Sequence, residues 1–114
     1  MLKADSRLRA SADFRSAMRR GSRSGRKTMV VYVERTGDAS SMAGFAVSRA
    51  VGIAVVRNRV KRRLRAIAAE LLPTLPPGTR LVVRALPASA AAPFETLRRD
   101  LRDATAAAVR KASL

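Results

Sequence analysis

The stretch AVSRAVGIAVVRNRVKRRLR, residues 46–65, decides how the rest of the chain folds. Its first residues are mainly apolar and alternate with polar ones, Gly52 interrupts them, and the remainder has the period of a helix. At about 100° per residue, one stripe of this helix is apolar. The stripe consists of Val56, Val60, Leu64, Ile67 and Leu71. The helix is therefore predicted to bury one face in a core and to carry cations on the rest of its circumference.

The cations of this helix repel one another. Arg57, Lys61 and Arg65 follow at i, i+4 spacing, and each like-charged pair destabilises an isolated helix by about 0.2 to 0.5 kcal/mol. Solvated helix faces normally mix both signs of charge, whereas Asn58 is the only uncharged polar residue of this run. Release of counterions on binding a polyanion outweighs a cost of this size. The pattern favours a nucleic-acid-binding helix over a solvated charged face.

The composition of the whole chain points to the same partner. Its 114 residues include 24 Lys plus Arg against 8 Asp plus Glu, a formal charge of +16. This field makes nucleic acid the leading partner and an anionic membrane surface a weaker second. Hydrophobic residues make up 47% of the chain, which is enough for a modest core. We therefore expect one small folded domain over residues 1–114 rather than a disordered basic tail.

The residue types that are missing exclude most protein-based catalysis. The chain has no Cys and no His, so zinc sites, thiol nucleophiles, disulfides and His acid–base chemistry are not available. The eight carboxylates are scattered, without the spacing of a two-metal cluster. No apolar run is long enough to span a bilayer, and the first residues lack the hydrophobic core of a signal peptide. We expect a cytoplasmic protein with no catalytic residues of its own.

The N-terminal half is predicted to contain one helix and three strands. Residues 1–10 form a short basic segment with Lys3, Arg7 and Arg9, and Ser11 is the expected N-cap of a helix over 12–20 that Gly21 ends. Residues 22–27 are expected to be irregular or a short edge strand. Strands are predicted over 29–35 and 42–48, with a turn at 36–41 that closes an antiparallel hairpin.

After the basic helix, a group of prolines ends it, and a buried strand is predicted over 80–85. Residues 87–92 read as a loop, and Pro93 fits the first turn of a last helix. On that helix Asp100 and Asp103 are expected to pair with neighbouring arginines, so the helix reads as scaffold. The order is αβββαβα, an α+β domain with helices packed on a mostly antiparallel sheet.

Four segments in this order carry a resemblance. They are RLRASADF (7–14), the helix that ends at Gly21, VVYV (30–33) and GFAVSRAVGIAVVRNRVKRRLR (44–65). Together they resemble the protein component of bacterial ribonuclease P over nearly the whole chain, and VVRNRVKRRLR is similar to the signature of that family. The resemblance implies an αβββαβα two-layer sandwich like the second domain of the fifth small-subunit ribosomal protein. It also implies a left-handed βαβ crossover, against the usual right-handed preference.

The resemblance also implies an activity and its partners. In this family a large RNA performs the metal-dependent hydrolysis that removes the 5′ leader from precursor tRNA, and the protein is the accessory subunit that assists by binding. The expected partners are the ribonuclease P RNA and the leader of precursor tRNA, with no membrane and no obligate protein partner. Mg²⁺ is required by the RNA-catalysed reaction, and no cofactor is expected on the protein's side chains.

The family's binding positions carry over residue by residue. The RNA-subunit-binding residues would be Arg57, Asn58, Arg59, Lys61, Arg62 and Arg65. The cleft for the single-stranded leader would hold Phe14, Met18, Lys27, Tyr32 and Arg49. The chain departs from the family twice, because Met18 stands where a second aromatic residue is frequent and Ala50 stands where a second lysine is common.

Two other classes of protein remain open from the sequence. A structural RNA-binding protein of the ribosome is also expected to be a small basic α+β domain, although the ordered match of the four segments argues against it. A duplex-DNA-binding module would place the basic helix in a major groove. That module leads one to expect a dimer interface or a second reading element, and the sequence offers neither.

Overall fold

The described residues form three helices and four strands. The computed structural model describes residues 2, 6–8 and 10–113, so Lys3, Asp5 and Arg9 lie outside the described residues. The elements are α1 (Ser11–Arg20), β1 (Ser22–Gly25), β2 (Met29–Arg35), β3 (Met42–Ala46), α2 (Ala54–Leu71), β4 (Thr79–Ala85) and α3 (Phe94–Ala112). Short 3₁₀ turns at Leu72–Thr74 and Pro87–Ala90 flank β4. The predicted order αβββαβα is confirmed.

The sheet has the order β1-β2-β4-β3. β2 pairs antiparallel with both β1 and β4, while β3 pairs parallel with β4. The predicted antiparallel hairpin of β2 and β3 is wrong, since β4 lies between these two strands. The crossover through α2 returns the chain parallel to β3, and the apolar β4 takes one of the two inner places of the sheet, which suits a strand with most of its residues buried. The sheet is mostly antiparallel, as predicted, and β3–α2–β4 is its one βαβ unit among the described elements.

The main core lies between the sheet and the helices α2 and α3. The apolar stripe of α2 faces this core, with Val60, Leu64 and Ile67 at most 1% exposed. Val56 packs against the core while partly exposed, and Leu71 is half-buried. The same core takes alternate residues of the strands and the apolar side of α3. The predicted division of α2 into an apolar face and a cationic remainder is confirmed.

Helix α1 packs on the opposite face of the sheet. The helix begins at Ser11 itself, and Ala10 takes the N-cap position without a side-chain cap, so the predicted capping role of Ser11 is wrong. Gly21 does end the helix, with an extended backbone at φ −73°. A Cβ at Gly21 would overlap the carbonyl oxygen of Ala17 and lie 2.9 Å from that of Val33. Glycine is therefore needed for the close approach of α1 to β2.

Polar contacts connect α3 to the rest of the fold. The Thr28 hydroxyl, in the turn between β1 and β2, donates a 2.7 Å hydrogen bond to the buried carboxylate of Asp100. Arg98 pairs with Glu70 of α2 at 3.2 Å, while Asp103 pairs with Arg102 within α3 itself at 3.5 Å. These contacts agree with a scaffold role for α3. None of the helices in the described part of the chain is both long and apolar enough to cross a membrane.

Substituting Gly21→Ala should destabilise the fold by about 1 to 3 kcal/mol, because the new methyl group meets rigid backbone atoms. Gly25→Ala is the matched control, since nothing lies within 4 Å of its added Cβ, and we expect it to change the free energy of unfolding by no more than about 0.5 kcal/mol. Urea unfolding of both variants measures the difference. Equal stability of the two variants would contradict the close packing of α1 on β2.

Candidate nucleic-acid interface

The cationic side of α2 forms one continuous surface. Asn58 and Arg62 are exposed, while Lys61 and Arg65 are half-buried. These four residues line a shallow depression together with Arg7 and Ala66. Arg7, from the segment before α1, is a contributor that the sequence analysis did not assign to this surface. Its backbone is held beside β3 by a parallel bridge to Ala43, and its guanidinium donates to the carbonyl of Leu2.

Two arginines of α2 also have a structural task. Arg59 Nη2 donates a 2.9 Å hydrogen bond to the carbonyl of Ala90, and Arg63 Nη1 lies 3.5 Å from that of Ala92. Both carbonyls belong to the connection that follows β4, so α2 holds this loop. The Nε atoms of Arg57 and Arg59 are buried without a hydrogen-bond partner within the described residues. The structure thus gives Arg59, predicted as an RNA-binding residue, an intramolecular contact as well.

The predicted cleft residues of α1 and β2 lie together. Tyr32 belongs to a second apolar cluster on the α1 face of the sheet, and Phe14 and Met18 pack against it. Tyr32 is only 7% exposed, whereas Phe14 and Met18 are half-buried. Among these three, Phe14 and Met18 therefore offer more side-chain surface to a ligand than Tyr32 does.

A groove of about 330 Å³ at the outer edge of β3 joins the two predicted sites. Phe14 lines it from α1, Phe45 lines it from β3, and Lys61 and Arg65 line it from α2. Gly44 leaves room for the Phe14 ring to pack on β3, since a Cβ at this position would lie 2.5 Å from Phe14 Cζ. The groove combines aromatic and cationic side chains, which is the composition that binds single-stranded nucleic acid. Phe45 was not predicted as a site residue, because its strand position alone indicates core.

The other two predicted cleft residues lie away from this groove. Lys27 comes just before β2 and Arg49 shortly after β3, and both are exposed. The strand register places the start of β2 and the end of β3 at the same end of the sheet, since Met29 is opposite Ala85 and Ala46 is opposite the neighbouring Arg84. Two strand spacings, about 10 Å, separate β2 from β3 there.

Arg84 lies on β4, the strand between β2 and β3, and was not predicted from the sequence as a site residue. It is opposite Val30 of β2 and Ala46 of β3, yet its side chain is exposed. It therefore projects on the α1 face, where the sheet is open to solvent. The period of two in RLVVRA was the available signal, because it places Arg80, Val82 and Arg84 on one face.

A network of ion pairs and hydrogen bonds fixes α1 over the sheet. Glu34 of β2 accepts hydrogen bonds from the Ser16 hydroxyl and from Arg80 Nη1, both at 2.8 Å. Arg80 also lies 3.6 Å from the Asp13 carboxylate. The side chains of Glu34 and Arg80 are only 14% and 18% exposed, so water screens this ion pair less than a surface pair. The network sets the position of α1 and thereby of Phe14 and Met18.

The side chains of this site are suited to binding a ligand. Its side chains are arginine, lysine, asparagine and apolar or aromatic groups, which hold phosphate and stack on bases. In the part of the chain that the structure describes, no group of three or more His, Cys, Asp or Glu side chains is placed to hold a metal ion. Fold and site together define a small α+β protein whose basic crossover helix and adjoining aromatic groove have the composition of a nucleic-acid-binding surface.

Comparison with known proteins identifies the family. The ribonuclease P family model matches residues 2–109. The ribonuclease P protein component of Kocuria rhizophila is 51% identical over 111 residues, covering 97% of this chain and 98% of that protein. The same component of a Nocardioides species is 53% identical over 104 residues, covering 89% of each. The chain belongs to the ribonuclease P protein family, and its role is that of the protein subunit of ribonuclease P.

Solved structures agree with the fold. The RNase P protein of Staphylococcus aureus superimposes with a TM-score of 0.80 at 23% identity, covering 93% of this chain and 96% of the other. The RNase P protein of Thermotoga maritima gives a TM-score of 0.75 at 29% identity, covering 85% and 92%. The comparisons give no support to a structural ribosomal protein.

Replacing Glu34 with Ala should cost about 1 to 3 kcal/mol of stability, because it leaves Arg80 and Ser16 without their shared acceptor. Glu70→Ala is the control. Glu70 pairs with Arg98 at a site where both side chains are about half exposed, so its loss should cost less than about 1 kcal/mol. Chemical unfolding of both variants tests the network, and a Glu34 variant as stable as the Glu70 variant would count against it.

Proposed function

We propose that this protein assists a catalytic RNA in removing the 5′ leader from precursor tRNA, by binding the RNA subunit and the leader at once. The observation that carries the proposal is the groove at the β3 edge, where Phe14 of α1 and Lys61 and Arg65 of α2 line one depression. A groove of this kind allows one RNA strand to contact an aromatic ring and cations together.

In this proposal the cationic side of α2 holds the RNA subunit. Its arginines suit phosphate because the planar guanidinium donates two parallel hydrogen bonds, while a lysine acts as a point charge. Arg62 is exposed and makes no ion pair with another described residue, so it is a direct candidate for such a contact. Arg59, which already binds the Ala90 carbonyl, would contribute by orienting the loop as well as by charge. The proposed set is Arg57, Asn58, Arg59, Lys61, Arg62 and Arg65.

The leader is proposed to follow the α1 side of the sheet. Phe14 supplies the stacking surface, Met18 adds an adaptable apolar contact, and Tyr32 supports both from the cluster below. Lys27 and Arg49 would hold the leader's phosphates at the end of the sheet, with Arg84 between them as an additional contact.

This arrangement would favour substrate over product. The leader is attached to the tRNA only before cleavage, so every contact to it raises affinity for the precursor and not for mature tRNA. One base stacked on an aromatic ring contributes about 1 to 3 kcal/mol, and about 1.4 kcal/mol corresponds to a tenfold change in affinity. The cations would also reduce the repulsion between catalytic RNA and substrate.

The hydrolysis itself is assigned in this proposal to the RNA. The chain has no His or Cys, and the side chains at the proposed interface are suited to holding RNA rather than to proton transfer. The Mg²⁺ ions that the reaction requires would be held by the RNA, and the protein would bind no cofactor. We place the activity in the cytoplasm, where bacterial tRNA precursors are made.

Phe14→Ala should weaken binding of precursor tRNA to the holoenzyme by roughly 5- to 150-fold, since about 1 to 3 kcal/mol of stacking is lost. Binding of mature tRNA should stay nearly unchanged. The measurement is the dissociation constant of each RNA, with circular dichroism to confirm that the variant is folded. An equal loss for precursor and mature tRNA would rule out the assignment of Phe14 to the leader.

The double variant Arg62→Gln with Arg65→Gln should weaken assembly with the catalytic RNA. The loss of two phosphate contacts should make the slope of log K against log salt less negative by about 1.4 to 1.8. Arg99→Gln with Arg102→Gln removes the same charge from α3, where each arginine lies within 4.0 Å of an aspartate, and should leave the slope near that of the unmodified protein. Equal slopes for the two double variants would contradict a specific RNA-binding role for α2.

A further inference from the structure

A second group of cations lies at the opposite edge of the sheet from the β3 groove. We call it the β1-edge surface, and it comes from α1, from the strand β1 and from the turn after β1. Its members are Arg19, Arg20, Arg23 and Arg26, and all four are exposed. Residues 14–33 contain no Asp or Glu. None of the four makes an ion pair with any other described residue.

The fold gathers these cations. β1 is the outermost strand of the sheet, and Arg23 is opposite Tyr32 in the register, so its side chain projects on the face that carries α1 and the cleft. The close packing at Gly21 holds the end of α1, with Arg19 and Arg20, directly before this strand. Lys111 of α3, which packs on the other face of the sheet, donates a 2.7 Å hydrogen bond to the Arg23 carbonyl and so ties the end of α3 to this strand.

Ordinary structural roles explain only part of this surface. Arg19 and Arg20 lie in the last turn of α1, where cations stabilise the helix dipole. An arginine on an edge strand also discourages pairing with another sheet. Neither role accounts for four exposed cations without a carboxylate among them. The outer side of α3 shows the contrast, because Arg98, Arg99 and Arg102 each lie within 4.0 Å of a carboxylate oxygen.

We propose that the β1-edge surface binds the phosphodiester backbone of RNA, as a second contact separate from the α2 surface. The inference rests on the proposed function, since it takes the protein to work between two RNAs. The phosphates would come either from the catalytic RNA or from the part of the leader that leaves the cleft across β1. Because contacts to phosphates carry no sequence information, binding at this surface would be independent of sequence.

The test uses the triple variant Arg19→Gln, Arg23→Gln and Arg26→Gln in the full-length protein. The control triple, Arg98→Gln, Arg99→Gln and Arg102→Gln, removes the same charge from α3. One arm measures binding to the catalytic RNA alone over a series of salt concentrations. The other measures binding of the assembled holoenzyme to precursor tRNA with a long leader and with a truncated leader.

The slope of log K against log salt should be less negative for the β1-edge triple than for the control triple by about 2 to 3, because three phosphate contacts are lost. A loss in the first arm identifies the catalytic RNA as the source of the phosphates. A loss confined to the long leader identifies the leader. A salt slope equal to that of the control triple in the first arm, together with affinities equal to those of the control triple for both precursors in the second, would overturn the proposal.

Two further variants keep this result interpretable. Replacing the same three arginines with lysine preserves the charge, so it should restore the salt slope; failure to restore it would overturn a backbone contact made through charge. The α2 double variant Arg62→Gln with Arg65→Gln, measured beside it, tests the proposed function separately. If only the α2 variant loses affinity, the β1-edge inference fails while the proposed function stands.

Discussion

The packing of α2 against the sheet is the constraint on which the rest of the structure depends. Val60, Leu64 and Ile67 must be buried, while the cations of the same helix must reach solvent, and only one orientation of the helix satisfies both. With α2 connecting β3 to β4, the apolar β4 comes to an inner place of the sheet and β3 to its edge. That exposed edge is where the groove opens, between the cations of α2 and the ring of Phe14. One helix therefore sets both the core and the proposed binding surface.

The positive charge that suits this protein to binding RNA also destabilises its compact state. A charge of +16 repels itself in the compact state, and two of the few carboxylates are used inside the structure, Glu34 beneath α1 and Asp100 beside Thr28. The cations of α2 and of the β1-edge surface are left without such partners. An RNA that supplies phosphates would stabilise the folded form as well as bind it, since a ligand that binds only the folded state shifts the equilibrium toward it.

Local patterns were sufficient for the elements but not for their pairing. The apolar stripe of α2, the strand at 29–35 and the order αβββαβα could be predicted because burial imposes a period of 3.6 or 2 on the sequence. The insertion of β4 between β2 and β3 could not, since a short turn-like connection is also compatible with a hairpin. The cleft residues Phe14, Met18 and Tyr32 came from the resemblance. Arg84 and Phe45 were missed because their roles depend on which face and which edge of the sheet stays open, and only the assembled sheet determines that.

The central claim is that this chain is a binding subunit whose partner RNA performs the chemistry, and reconstitution tests it most directly. The protein is mixed with a bacterial ribonuclease P RNA at low Mg²⁺, and cleavage of a 5′-labelled precursor tRNA is followed beside protein-only and RNA-only controls. Our account predicts efficient cleavage at the leader junction only when both components are present. Cleavage by the protein alone, or tight RNA binding without any stimulation of cleavage, would contradict it.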